Sequence, residues 1–183
     1  MSFEDFAENF GLLEVCHLGL SSLDYDDEIE GKQRMNELTF VGEWCANVNA
    51  GGPMNNLEPY STNPQFLFTI KRDGRKDETK ALVIIGVMQE SRRRDYGGDF
   101  LEIGFSLYEV SNKVSANQKS RLTAEQLADR KPLITSDYIP RREVTLEEYL
   151  FSGTFIIIPT TNHPNEECKF ILRVFSSSEM TQQ

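Results

Sequence analysis

From Met35 onward, apolar residues recur at every second position. Leu38-Thr39-Phe40-Val41-Gly42-Glu43-Trp44, Phe66-Leu67-Phe68-Thr69-Ile70, the run from Ala81 to Gln89 and the run from Glu102 to Val110 all follow this rule, as do Thr154 to Ile158 and Lys169 to Phe175. A period of two sends successive side chains to opposite faces of a pleated strand, so the pattern predicts a β-rich body. Turn signals at Asp73-Gly74, Gly97-Gly98 and His163-Pro164-Asn165 separate the segments. Two antiparallel sheets packed face to face bury such a set best. Two stretches break the period and predict short helices. One is Leu122 to Arg130, with Ala, Glu, Gln and Leu; the other is Thr145 to Leu150, where Thr145 and Glu148 stand at capping-box spacing.

The first thirty residues follow a different pattern. Ser2 caps a predicted helix with Asp5 three residues on, Phe3, Phe6 and Phe10 recur at helical spacing, and Gly11 stops it. Leu12 to Leu18 reads as a short apolar strand. The polar run from Ser21 to Gly31 reads as a linker or exposed loop. The expected organisation is therefore residues 1–20, an acidic linker over 21–34, a sandwich over 35–176, and a tail over 177–183 that has lost its apolar period and should fray.

Composition adds one qualification. At 183 residues, 39% apolar and 26% charged, the chain is long enough for one good core. Its formal charge of −10 is concentrated in Glu4, Asp5, Glu8, Glu14, Asp24, Asp26, Asp27, Glu28 and Glu30, with no Lys or Arg among the first thirty residues. The β-rich body is thus almost neutral, and the overall acidity does not argue against an anionic partner. No run approaches the roughly 20 apolar residues that span a bilayer, and the N-terminus lacks the basic and apolar regions of a secretion signal, so a cytoplasmic setting is expected. Cys16, Cys45 and Cys168 are odd in number and widely spaced; reduced thiols are expected, with neither a disulfide framework nor a zinc site.

The punctuation Gly42-Glu43-Trp44, Asn49-Ala50-Gly51-Gly52 and Asn63-Pro64-Gln65-Phe66 resembles the opening of the regulatory β-sandwich that follows the protease core in calpains. The resemblance extends along the chain. Met1-Ser2-Phe3-Glu4-Asp5-Phe6 with Leu13-Glu14-Val15-Cys16 is similar to the last helix and strand of the protease core. Val87-Met88-Gln89-Glu90 with Arg92-Arg93-Arg94, and Ile103-Gly104-Phe105-Ser106-Leu107-Tyr108-Glu109-Val110, resemble the middle strands. Arg142-Glu143-Val144, Leu150, Gly153, Ile158-Pro159-Thr160-Thr161 and Phe170-Ile171-Leu172-Arg173-Val174-Phe175-Ser176 resemble the end. The resemblance implies an all-β, eight-stranded antiparallel C2-like sandwich, set between the protease core and, in many members, an EF-hand domain. It also implies that the catalytic Cys, His and Asn lie before this chain. No EF-hand loop of the form Asp-x-Asp/Asn-x-Asp/Asn-Gly occurs in it, so a fragment without its own active site or cofactor is expected, calcium being left to the parent protein.

Cys16 and His17 are adjacent, but neighbours on a strand point to opposite faces, so a thiol–imidazole pair is not expected there. His163 reads as a solvated loop residue. Arg92, Arg93 and Arg94 would gather with Lys71, Arg72, Arg75 and Lys76 into a basic patch for anionic phospholipid, a partner that the family is thought to contact through this domain; the competing reading is two solvated loops paired with Asp73, Asp77, Glu78 and Asp95. Nucleic acid is not expected, because no aromatic residues interleave the arginines.

A C2-type calcium site needs several carboxylates converging at about 2.3–2.6 Å from the ion, and the candidates here are scattered. Many calpains carry a dense acidic run after the Asn-Pro-Gln strand, thought to act as a latch against lysines of the core. This chain has Lys71-Arg72-Asp73-Gly74-Arg75-Lys76-Asp77-Glu78-Thr79-Lys80 instead, which argues against both calcium and the latch at that loop. Asp24, Asp26, Asp27, Glu28 and Glu30 would offer a substitute acidic surface, or merely a solvated linker. Trp44, Phe66, Phe68, Phe105, Tyr108, Phe155, Phe170 and Phe175 are expected in the core. Gly51-Gly52 and Gly97-Gly98 read as turns. The expectation is therefore a regulatory module that couples calcium or lipid signals to a protease core in the same polypeptide, with a purely structural scaffold as the alternative and a thiol hydrolase using Cys16 as the enzymatic one.

Overall fold

The computed structural model describes residues 1–11, 35–71, 80–90, 100–110 and 121–182, in two compact units, Met1–Lys32 and Gln33–Gln183. In the first unit the described element is helix α1 (Phe3–Asn9). Its capping box is closed on both sides, with the Asp5 N–H donating to the Ser2 hydroxyl and the Ser2 N–H to the Asp5 carboxylate. Phe6 and Phe10 stack with ring centroids 4.9 Å apart. The strand expected at 12–18, with Cys16 and His17, and the acidic linker lie outside the described residues.

The second unit runs β1 (Asn36–Trp44), α2 (Leu57–Tyr60), β2 (Phe66–Ile70), β3 (Ala81–Gln89), β4 (Ile103–Val110), α3 (Ala124–Ala128), β5 (Ile134–Thr135), β6 (Glu143–Leu150), β7 (Gly153–Thr161), β8 (Cys168–Ser176) and β9 (Met180–Gln182). The strands form two sheets in the orders β1-β8-β3-β6 and β5-β4-β7-β2-β9. Every pairing is antiparallel. The all-β sandwich implied by the residue pattern is therefore the architecture, with a ninth strand beyond the eight expected.

That ninth strand corrects the reading of the tail. Met180 lies opposite Ile70 and Gln182 opposite Phe68, and Met180 is buried in the core. One apolar anchor suffices once β2 offers an open edge, and a single residue leaves no period in the sequence. The helix expected over Thr145–Leu150 is also corrected. This stretch belongs to β6, paired with β3 from Glu143 opposite Met88 to Leu150 opposite Ala81. Val144, Leu146 and Leu150 face inward, while Thr145, Glu147 and Tyr149 are exposed, and the tertiary ladder overrides a local capping pattern. The helix expected at Leu122–Arg130 forms as α3, capped reciprocally by Thr123 and Gln126.

Between the sheets lie Trp44, Phe68, Phe105, Phe155, Phe170, Leu172 and their neighbours, and Phe66 packs partly buried against them. A second cluster on the far side of the five-stranded sheet joins Tyr60, Tyr108, Leu122, Leu127, Ile156 and Ile158. Because β7 is covered on both faces, Phe155-Ile156-Ile157-Ile158 runs without alternation. Phe175 is buried too, but outside both clusters: Leu172 and Val174 point into the main core, and strand alternation sends Phe175 the other way.

The second cluster carries the hydroxyls of Tyr60 and Tyr108, and Tyr138 stands outside it. The first two hydroxyls lie 3.2 Å apart, that of Tyr108 donates to the Met54 sulfur at 3.1 Å, and that of Tyr138 lies 2.8 Å from the Thr160 hydroxyl. Burial raises all three phenols above the usual value of 10.0. The folded state therefore holds these protons while the unfolded chain releases them. The resulting stability is complete below about pH 10 and declines as the pH rises further. The urea midpoint should fall between about pH 8 and pH 11; an unchanged midpoint would contradict the burial argument.

Candidate functional site

The connection from β1 to β2 is held by hydrogen bonds within itself and to the segments around Leu122 and Asn165. The Asn49 side chain accepts from the Cys45 N–H at 2.6 Å and donates to the Glu43 carbonyl at 3.0 Å. Asn63, fully buried, accepts from the Gly51 N–H at 3.1 Å and donates to the Gly52 and Tyr60 carbonyls, each at 2.9 Å. Gly52 adopts a φ of 74°, in the left-handed region that glycine tolerates. The Gln65 amide acts as a strand partner to Leu122, donating to its carbonyl at 2.9 Å and accepting from its N–H at 2.7 Å. Arg121 donates to the carbonyls of Ser61 and Asn63. Trp44 donates from Nε1 to the Pro159 carbonyl at 3.2 Å. The glycine and asparagine punctuation thus encodes a rigid folded connection.

Of the seven basic residues expected to form a patch, the structure describes Lys71. It lies just beyond β2, tied twice to Glu179: its N–H donates to the Glu179 carbonyl at 2.8 Å and its Nζ pairs with Oε1 at 2.5 Å. Arg72, Arg75 and Lys76, and Arg92, Arg93 and Arg94, lie outside the described residues. Their anchor points are nevertheless fixed. Lys80 leads into β3 with its Nζ 5.1 Å from the Phe151 ring centroid. At the other end of β3, the Gln89 side chain donates to the Leu101 and Arg141 carbonyls and accepts from the Leu101 N–H, while the Glu90 N–H donates to the Lys169 carbonyl. The two basic segments therefore join β3 at opposite ends, roughly 27 Å apart at strand rise.

The bonding roles of Gln89 and Arg121 are not among the sequence expectations. For Gln89 a signal existed: it follows Val83, Ile85 and Val87 on the inward parity of β3, where a polar residue must have hydrogen-bond work.

Thiol chemistry has little support at the described cysteines. Burial, then the nearby Glu43 and Glu167 carboxylates, raise the Cys45 thiol above its usual range and keep it protonated. The Cys168 Sγ donates to the Lys169 carbonyl at 3.2 Å. His163 is exposed in its turn, its carbonyl accepting from the Thr161 hydroxyl at 2.7 Å. Among the described residues no group of three His, Cys, Asp or Glu is placed to hold a metal ion, and no helix is long and apolar enough to cross a membrane.

Comparison with known proteins places this architecture. Residues 40–175 match the family described as calpain large subunit, domain III. The chain is 44% identical to the calpain of Schistosoma mansoni, over 100% of this chain and 24% of that protein. It is 35% identical to Calpain-A of Drosophila melanogaster, over 98% of this chain and 22% of the relative. With the Calpain-1 catalytic subunit of Gallus gallus the identity is 34%, over 98% and 26% respectively. The chain thus spans about a quarter of the length of these relatives.

Proposed function

Because the chain belongs to the calpain family and carries domain III of a calpain large subunit, a non-catalytic domain, we propose that it serves as the regulatory module of a calcium-dependent cysteine protease, coupling docking on an anionic phospholipid surface to the protease core. The observation that supports this reading is that the segments carrying these basic residues in the sequence connect to the two ends of β3. The segment from Lys71 to Lys80 has five basic and three acidic residues, and the other holds Arg92, Arg93 and Arg94 in succession. Each basic residue near an anionic bilayer contributes about 1 kcal/mol. The ladder between the two ends is continuous, so an orientation imposed at one end is carried to the other as a rigid body. The role of the module is then positional: it orients a neighbouring domain without performing chemistry.

Co-sedimentation with vesicles containing phosphatidylserine and a phosphoinositide tests this. Wild-type binding should be salt-sensitive, and Arg92→Ala/Arg93→Ala/Arg94→Ala should abolish it. Lys71→Ala/Arg72→Ala/Arg75→Ala/Lys76→Ala should weaken it. Unchanged binding in both variants rejects the basic segments as the contact. The second reading, an interdomain scaffold without a ligand, is supported by the internal pairing of Lys71 with Glu179. It predicts no vesicle binding by the wild type and a flat calcium titration.

A further inference from the structure

Among the described residues the four-stranded sheet ends at β1, a nine-residue strand whose outer edge is bonded by no described residue over most of its length. Two hydrogen bonds establish which peptide groups face outward. The Lys169 carbonyl accepts from Glu90 on the β3 side, so Lys169 directs its main-chain groups away from β1, and its partner Glu43 directs its own away from β8. The Asn49 amide independently meets the Glu43 carbonyl on that outer side. By alternation, the N–H and C=O of Glu37, Thr39 and Val41 also point outward, and no hydrogen bond among the described residues occupies them. Val41 is 77% exposed.

The other edges differ. At β6, the opposite edge of the same sheet, the Glu148 carboxylate caps the Tyr149 N–H at 2.9 Å, and Glu143, Glu147 and Glu148 line the strand. In the second sheet the edge strands β5 and β9 have two and three residues. Blocked or very short edges are how sheets avoid unwanted pairing, and β1 has neither protection over Thr39 and Val41.

We propose that β1 receives an extended segment of another polypeptide as a fifth strand, one carrying Lys or Arg at two positions six residues apart with short β-branched residues between them. The spacing follows from Glu37 and Glu43, which lie on the same face as Val41 and would stand directly opposite the two cations. Main-chain bonds to Glu37, Thr39 and Val41 supply the pairing, and the two carboxylates select the sequence and fix its register. A second copy of this chain is disfavoured in that role, because full antiparallel self-pairing of β1 sets Glu37 opposite Glu43 twice.

The test uses the whole chain and a fluorescein-labelled peptide, Lys-Thr-Val-Thr-Val-Thr-Lys, followed by anisotropy and amide exchange. The peptide should bind and slow exchange at Thr39 and Val41, and its Glu-flanked counterpart should bind at least about tenfold more weakly. Val41→Pro removes only an outward donor and leaves the β8 ladder intact, so it should fold and lose the peptide. Should it not fold, Glu37→Lys/Glu43→Lys gives an independent reading by reversing the preference between the two peptides. Equal binding of both peptides, exchange protection away from β1, or self-association that protects β1 without peptide would each overturn the proposal.

Discussion

Gly51→Ala should lower the melting temperature by roughly 10 °C, corresponding to a loss of about 3 kcal/mol or more for a domain of this size. A Cβ at this position would lie 1.7 Å from the Pro59 carbonyl oxygen and 2.4 Å from its carbon, both main-chain atoms that no rotamer change can move. Relief requires α2 to shift away from the connection. That shift breaks the Asn63 amide bonds to Gly51, Gly52 and Tyr60 and strands buried polar groups, each at a cost of about 1–3 kcal/mol. Thermal denaturation followed by circular dichroism checks this, and a melting temperature like that of the wild type would show that the close approach is not rigid.

Trp44→Ala should cost about 3–5 kcal/mol. The side chain is 1% exposed, its ring centroid lies 4.2 Å from that of Phe170, and it closes the end of the core where Phe170 also meets Phe66. Trp44→Phe retains much of the packing and loses the bond to the Pro159 carbonyl, so it should cost about 1–3 kcal/mol. Urea denaturation by circular dichroism measures both, since removing the one tryptophan also removes its fluorescence. Equal losses in the two variants would assign the effect to the hydrogen bond and not to the ring.

These two sites were legible in the sequence as punctuation, because a glycine pair, buried-type asparagines and a lone tryptophan have few other uses. Strands with one face toward solvent were legible as well, as in the alternation of Leu38, Phe40 and Trp44. Misreadings arose where tertiary pairing overrode local preference. In β6 a Thr–Glu spacing suitable for a helix cap proved to be two exposed positions of an edge strand paired with β3. In β9 a single buried methionine defines the strand, and periodicity cannot be seen in one residue. The separation of the two ends of β3 to which the basic segments attach is implicit in the sequence, since one extended strand of nine residues cannot bring its two ends together. What residues alone do not disclose is which strand edge is left open, because that depends on the partner found by every other strand.

The pairing of β1 with β8 also has a consequence for the nascent chain. Asn36 lies opposite Ser176 and Trp44 opposite Cys168, so the first strand of the sandwich waits for almost the last before it gains a neighbour. During synthesis its phenylalanine and tryptophan remain without a neighbouring strand until β8 has emerged, and closure of the sheet is a late, long-range event.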